Sequence, residues 1–168
     1  KIHLVRYADD FIVTAKDRET IETVILPLVR NFMAERGLTL SEEKTKITHI
    51  SEGFDFLGFN IRKFPNNTLL TQPSGDAKKR FCDKIRKVIE SNKTAKQHSL
   101  IKMLNPIITG WGNYYKYGTS AETFHRVDWE IHRKLWQWAR RRHSNKSKGW
   151  IKDKYFKTVN GRKWRFVA

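Results

Sequence analysis

Leu4-Val5-Arg6-Tyr7-Ala8-Asp9-Asp10-Phe11-Ile12-Val13 decides the fold, because two short apolar runs flank a pair of adjacent carboxylates. The runs read as strands and the acidic pair as the turn between them. Alternation on a pleated strand predicts Val5 and Tyr7 on one face, and Phe11 and Val13 on one face across the hairpin. Two readings fit Asp9 and Asp10 at such a tip. One is solvated turn chemistry, since Asp stabilises turns through its own side chain. The other is a metal site: like charges a few ångströms apart raise each other's pKa, and a divalent cation removes the conflict. Hard oxygen ligands suit Mg²⁺.

Outward from the hairpin, Asp17 is placed to cap a helix running to about Arg36. Ile21, Val24, Ile25, Leu28, Phe32 and Met33 repeat at helical spacing, and Gly37 supplies the stop. Pro27 interrupts that pattern and predicts a kink or a lost backbone bond, at about 3 kcal/mol if uncompensated. Two more strands are expected, 45–50 and 54–64, joined around Ser51-Glu52-Gly53 and closed by Pro65-Asn66-Asn67. The first seventy residues thus read as an α+β unit with an antiparallel sheet and a helix.

From Pro73 the texture becomes helical. Ser74 or Asp76 can cap a helix with Ala77, Phe81, Ile85, Val88 and Ile89 on one face and a basic remainder. Residues 91–97 form a polar linker. Ser99 is expected to open a second helix, with Pro106 near its first turns, and Gly110 and Gly112 either admit a close backbone or end it. Thr119 to Glu122 has capping-box spacing. Beyond it Phe124, Val127, Ile131, Leu135 and Trp138 form a stripe. A short helix near Ile151 to Phe156 and a final strand at 164–167 are expected.

Charge divides the chain in the same place. The net charge is +17, yet Lys and Arg balance Asp and Glu over the first seventy residues, so the whole excess falls beyond them, with all six tryptophans. Positive charge attracts any polyanion. Aromatic faces among Arg and Lys suit RNA, where bases stack and phosphates need neutralising. A basic domain with its tryptophans in the core is the alternative. The single cysteine, Cys82, excludes an internal disulfide and fits a reducing compartment, a bacterial cytoplasm or alternatively an organelle. No apolar run is long enough to span a membrane. The chain starts on Lys-Ile-His-Leu, within strand-like sequence, as expected of the later part of a longer protein.

Several separated motifs together carry a family resemblance. Tyr7-Ala8-Asp9-Asp10 resembles the active-site tetrad of reverse transcriptases. Gly37-Leu38-Thr39-Leu40 with Glu43-Lys44-Thr45-Lys46, and Gly53-Phe54-Asp55-Phe56-Leu57-Gly58-Phe59, resemble the next two palm motifs. The run from Leu104 through Gly110-Trp111-Gly112-Asn113-Tyr114-Tyr115, and that from Leu135 to His143, are similar to the maturase-specific domain of group II intron-encoded reverse transcriptases.

The resemblance implies a partial palm over 1–70, a helical thumb over 71–97 and a maturase domain over 98–168. It implies an RNA-directed DNA polymerase that also binds group II intron RNA to promote splicing and mobility. A stand-alone, non-catalytic RNA-binding maturase module is the alternative. Asp9 and Asp10 would be the metal ligands for Mg²⁺, two ions in the complete site, with RNA template, DNA primer and dNTPs as partners. Lys44, or its neighbour Lys46, would assist the departing pyrophosphate. Tyr7, Ala8, Phe56, Leu57, Gly58, Lys78, Lys79 and Arg80 would meet primer and template. Tyr114, Tyr115, Arg140, Arg141, Arg142, Lys146 and Lys148 would contact intron RNA, with Trp111 expected in the core and His143 as a phosphate or backbone contact. The palm of this family also draws an aspartate and its fingers from earlier sequence. Without them the 168 residues are expected not to polymerise.

Overall fold

A computed structural model describes residues 1–167, and it divides into two compact units. The first comprises Lys1–Leu57 and Ile61–Leu69; the second comprises Gly58–Asn60 and the chain from Leu70 onward. The class is α+β.

In the first unit, β1 (His3–Tyr7) and β2 (Asp10–Thr14) form an antiparallel hairpin closed by Ala8 and Asp9. Ala8 takes φ +50, and the Arg6 Nε donates to the Ala8 carbonyl at 2.9 Å, fastening the turn. The loop pairs Tyr7 with Asp10 and Val5 with Ile12. Directly opposed residues share a face, so Val5 and Tyr7 lie with Ile12 and Asp10, and Phe11 and Val13 lie on the other face with Leu4 and Arg6. The expected strand faces were right individually, but the two-residue loop sets them on opposite sides.

Asp17 caps α1 (Arg18–Thr20) by accepting from the Thr20 backbone N–H and hydroxyl, at 2.8 and 2.7 Å. A π-helical stretch follows at Ile21–Ile25, and then α2 (Leu26–Ala34). The wide turn, in which the Leu26 N–H reaches back to the Ile21 carbonyl, lies directly before Pro27. A prolyl nitrogen has nothing to donate and its ring crowds the preceding turn. Local π-geometry accommodates both, and the helix continues to Ala34. Its end is a Schellman motif: Gly37 at φ +66, with Leu38 N–H on the Met33 carbonyl and Gly37 N–H on that of Ala34.

The strand expected over 45–50 does not form. Thr45 and Lys44 donate their N–H groups to Ser41 O in a turn, and the following residues have no ladder partner among the described residues. The strand expected over 54–64 is split into β3 (Phe54–Phe56) and β4 (Phe59–Lys63) by Leu57 and Gly58, both at positive φ. An unexpected β5 (Leu69–Pro73) completes a sheet of order β3-β4-β5.

The second unit is built on helices. Ser74 caps α3 (Gly75–Ser91), which is followed by α4 (Gln97–Tyr115), α5 (Ala121–Arg142) and α6 (Lys148–Tyr155). A hairpin of β6 (Phe156–Val159) and β7 (Arg162–Phe166) ends it. Phe81, Ile85 and Ile89 of α3 meet Leu100 and Leu104 of α4, Val127, Ile131, Leu135 and Trp138 of α5, and Ile151 of α6 in one core. Two expectations change here. α4 opens at Gln97 rather than Ser99, so Pro106 lies in its interior; and it runs through Gly110 and Gly112, because Trp111 between them packs on Phe81 at 4.5 Å and Tyr115 at 4.8 Å.

Candidate nucleic-acid interface

The tetrad is presented on the hairpin of the first unit. Asp9 occupies the loop tip and Asp10 opens β2 on the face it shares with Tyr7, all three being exposed. Lys44 sits in the exposed turn after Ser41. Asp9, Asp10 and Lys44 enter no side-chain hydrogen bond or ion pair among the described residues, and the same residues hold no cluster of three or more metal-ligating side chains. Two adjacent carboxylates are nonetheless a donor set that suits Mg²⁺, which commonly takes one or two carboxylates and completes its shell with water and substrate phosphate.

Leu57 ends a segment of the first unit and Gly58 begins one of the second. In the second, Gly58 accepts from the Ser74 N–H at 2.8 Å, at the start of α3. A Cβ on Gly58 would stand 2.6 Å from the Tyr115 hydroxyl, and φ is +78, so both space and conformation select glycine. Phe59 then stacks on Tyr114 at 5.4 Å and meets Tyr115 edge-on at 4.8 Å. The next turn of α3 carries Lys78, Lys79 and Arg80, the last two exposed. Gly58, Ser74 and the basic turn of α3 are thus assembled at one end of this helix.

The two tyrosines separate. Tyr114 is 52% exposed, whereas Tyr115 is buried against Gly58 and Trp111. Burial pushes the Tyr115 hydroxyl pKa up, with Tyr114 adding to it and Arg80 opposing. The arginine triplet separates too. Arg140 and Arg141 are exposed, but Arg142 donates through Nη1 to the carbonyls of Lys93 and Ala95, both at 2.9 Å, and lies over Trp138 at 4.7 Å. It holds the α3–α4 connection in place. His143 is likewise committed inward, its Nε2 being 2.7 Å from the Tyr155 hydroxyl. Lys146 and Lys148 are exposed around the start of α6.

Sequence reasoning missed other basic residues. A cleft of about 50 Å³ between α3 and α5 is lined by Arg86, Lys93, Lys134 and Arg141, with Glu90 the acidic member. Part of the signal was in the sequence, since Lys134 and Arg141 stand two turns apart on α5 and so share a face; Lys93 follows the end of α3, where helical spacing gives no guide. Trp150 and Lys154 were also overlooked, although Lys146, Trp150 and Lys154 follow one another at steps of four.

Residues 78–156 match the family model described as group II intron, maturase-specific domain, and residues 1–61 match that of reverse transcriptase (RNA-dependent DNA polymerase). The chain belongs to the group II intron-encoded reverse transcriptase–maturases. Among relatives of this maturase family, the chain is 38% identical over 108 residues to the group II intron-encoded protein LtrA of Lactococcus lactis subsp. cremoris, covering 55% of this chain. It is 32% identical over 139 residues, 70% of this chain, to an uncharacterized 91 kDa protein in the cob intron of Schizosaccharomyces pombe. A putative COX1/OXI3 intron 2 protein of Saccharomyces cerevisiae is 33% identical over 66 residues, 39% of this chain and 8% of the yeast protein. The chain spans 17% of the length of LtrA and of the fission-yeast protein. Among the described residues, no helix is long and apolar enough to cross a membrane.

Proposed function

We propose that this chain supplies the later palm, thumb and maturase surface of an RNA-directed DNA polymerase that also binds its group II intron RNA. The observation that carries this reading is the order within one chain: an acidic hairpin of palm type, then a basic, aromatic helical unit of maturase type. On this reading 1–70 is palm, 71–97 thumb and 98–168 the maturase domain.

Asp9 and Asp10 would hold Mg²⁺. When bound, the ion lowers the cost of developing negative charge on the attacking and leaving oxygens of nucleotide addition. The chain's own residues do the rest. The tight turn at Ala8 keeps side-chain bulk away from a primer end lying beside the carboxylates. Lys44, on an exposed turn, is placed to donate a proton to, or neutralise, a departing pyrophosphate. Lys78, Lys79 and Arg80 neutralise template or primer phosphates beside the Gly58 turn. Arg140, Arg141, Lys146 and Lys148 contribute the phosphate contacts to intron RNA, which add through counterion release. Tyr114 offers a ring face to a base. Tyr115 and Arg142 serve this surface from behind, as positioning residues.

Two assays test the reading. In a mobility shift, the chain should bind a group II intron RNA at low salt and lose it steeply as salt rises; no binding, or no salt dependence, overturns the maturase part. Given RNA template, primer, dNTPs and Mg²⁺, the chain should hold the template without extending the primer, because two carboxylates are half of a two-metal site. Extension abolished by Asp9→Ala would overturn that half-site assignment.

A further inference from the structure

Trp150 lies in the first turn of α6, 37% exposed, yet its ring is fixed from behind. His143 meets it edge to face at 4.7 Å, and His143 is itself tied to the hydroxyl of Tyr155, a core side chain only 4% exposed. Burial first, and then Lys154, Arg142 and Lys146, hold the His143 imidazole below its ordinary pKa, so a neutral ring backs the indole at neutral pH. Over the indole stand two ammonium groups, Lys154 Nζ at 4.7 Å and Lys146 Nζ at 5.6 Å from the ring centroid. Neither lysine is spent on a carboxylate among the described residues.

Other exposed aromatics lack this combination. Trp129 is 61% exposed under Arg133, but Arg133 is paired with Glu130 at 2.7 Å. Tyr117 is 84% exposed beside Lys116, with no second ring contacting it among the described residues. A rigid apolar face with uncommitted cations on flexible stems is what an unpaired nucleotide needs. Its base stacks on the ring, and a displaced ammonium swings to the adjoining phosphate.

We propose that Trp150, with Lys146 and Lys154, forms a stacking site for one unpaired nucleotide of single-stranded RNA. The proposal rests on the second unit being an RNA-binding surface and adds to it a contact that selects single strands. In a duplex the base faces are already stacked on each other, so only the lysines remain useful there.

The test uses the whole chain and two fluorescently labelled RNAs, a mixed-sequence single strand and a duplex of equal length, in the same salt. Trp150→Ala should weaken single-strand binding by about tenfold or more, the range seen when a stacking aromatic is truncated, and duplex binding by less than about twofold. Trp150→Phe should restore most of the difference. Lys146→Ala with Lys154→Ala, which leaves the indole in place, should flatten the salt dependence on both RNAs by about one unit of log–log slope per lysine engaged. Thermal unfolding of each variant reports whether the fold is kept; if Trp150→Ala unfolds, the Phe and lysine variants carry the test. Equal losses on single strand and duplex in Trp150→Ala, or an unchanged salt slope in the lysine variant, would overturn the stacking site and leave the RNA-binding reading standing. A parent chain that binds neither RNA would overturn both.

Discussion

The acidic hairpin and the helical unit spend their apolar residues in opposite ways. Leu4, Val5 and Tyr7 of the hairpin, and Leu28 and Phe32 of α2, are more than half exposed; among the described residues Ile25 alone of the first unit joins the buried apolar set. The second unit buries the apolar stripes of its helices in one cluster from Phe81 to Phe156. A two-stranded hairpin is marginal by itself, and burial of apolar surface is the main favourable contribution to folding. The carboxylates that identify the family therefore stand on the part of the chain that contributes least to its stability. The residues that would hold RNA stand on the part that contributes most.

The largest test of that contrast is truncation to alanine of one large apolar side chain in each unit. Trp138 is 2% exposed and donates its Nε1–H to the Asn92 carbonyl at 2.9 Å. Trp138→Ala should cost about 3–5 kcal/mol in urea unfolding followed by helical circular dichroism. Leu28→Ala, at a side chain 66% exposed, should stay within about 0.5 kcal/mol. Comparable losses at the two positions would break the comparison.

Next in size is Gly58→Ala. Its Cβ meets a buried tyrosine hydroxyl at 2.6 Å, and φ is +78. The left-handed backbone costs roughly 1–2 kcal/mol and overpacking about as much again. Tyr115→Phe in the same chain removes the hydroxyl but not the backbone cost. The double variant should therefore recover only part of the loss, measured as a double-mutant cycle; full recovery would show that backbone strain contributes nothing.

A third test separates neighbours that look alike. Arg142→Ala should cost about 1.5–3 kcal/mol of stability, because two carbonyls lose a charged donor. Arg141→Ala should leave stability unchanged and reduce the salt slope of RNA binding by about one. Reversed results would return Arg142 to the RNA surface.

That pair also shows where reading a sequence stops. Arg140, Arg141 and Arg142 are indistinguishable as letters; Arg142 differs only because two carbonyls nearly fifty residues away converge on it. Tyr114 and Tyr115 divide in the same way, by which one faces Gly58. What local physics dictates was legible: the hairpin around Asp9, the Asp17 and Ser74 caps, the stop at Gly37, and the stripes of α3 and α5. Elsewhere tertiary packing prevailed. Trp111 stacking carries α4 through two glycines, and Pro27 is accommodated by a π-turn that periodicity does not announce. At 45–50 a turn on Ser41 takes the backbone groups a strand would have used.

The smallest effects come from acid, and they fall in separate pH windows for the two units. His132 packs on Phe156 at 5.0 Å, and burial holds its imidazole below the ordinary 6.5. Its neutral form is the one the fold accepts, so this contribution is complete above pH 6.5 and is lost as pH falls from there through the folded-state pKa. Asp17 is held below its ordinary 3.8 by the Thr20 hydroxyl and N–H, so its contribution persists until pH falls below 3.8 toward its own folded value. Acidification should thus weaken the helical unit first and loosen the α1 cap later. His132→Gln should flatten the first step in thermal melts between pH 7 and pH 5, with His143, also depressed, accounting for what remains. Asp17→Ala should remove the second step without touching the first. If either substitution moved the other unit's window, the two units would be sharing stability that their separate burial assigns to each alone.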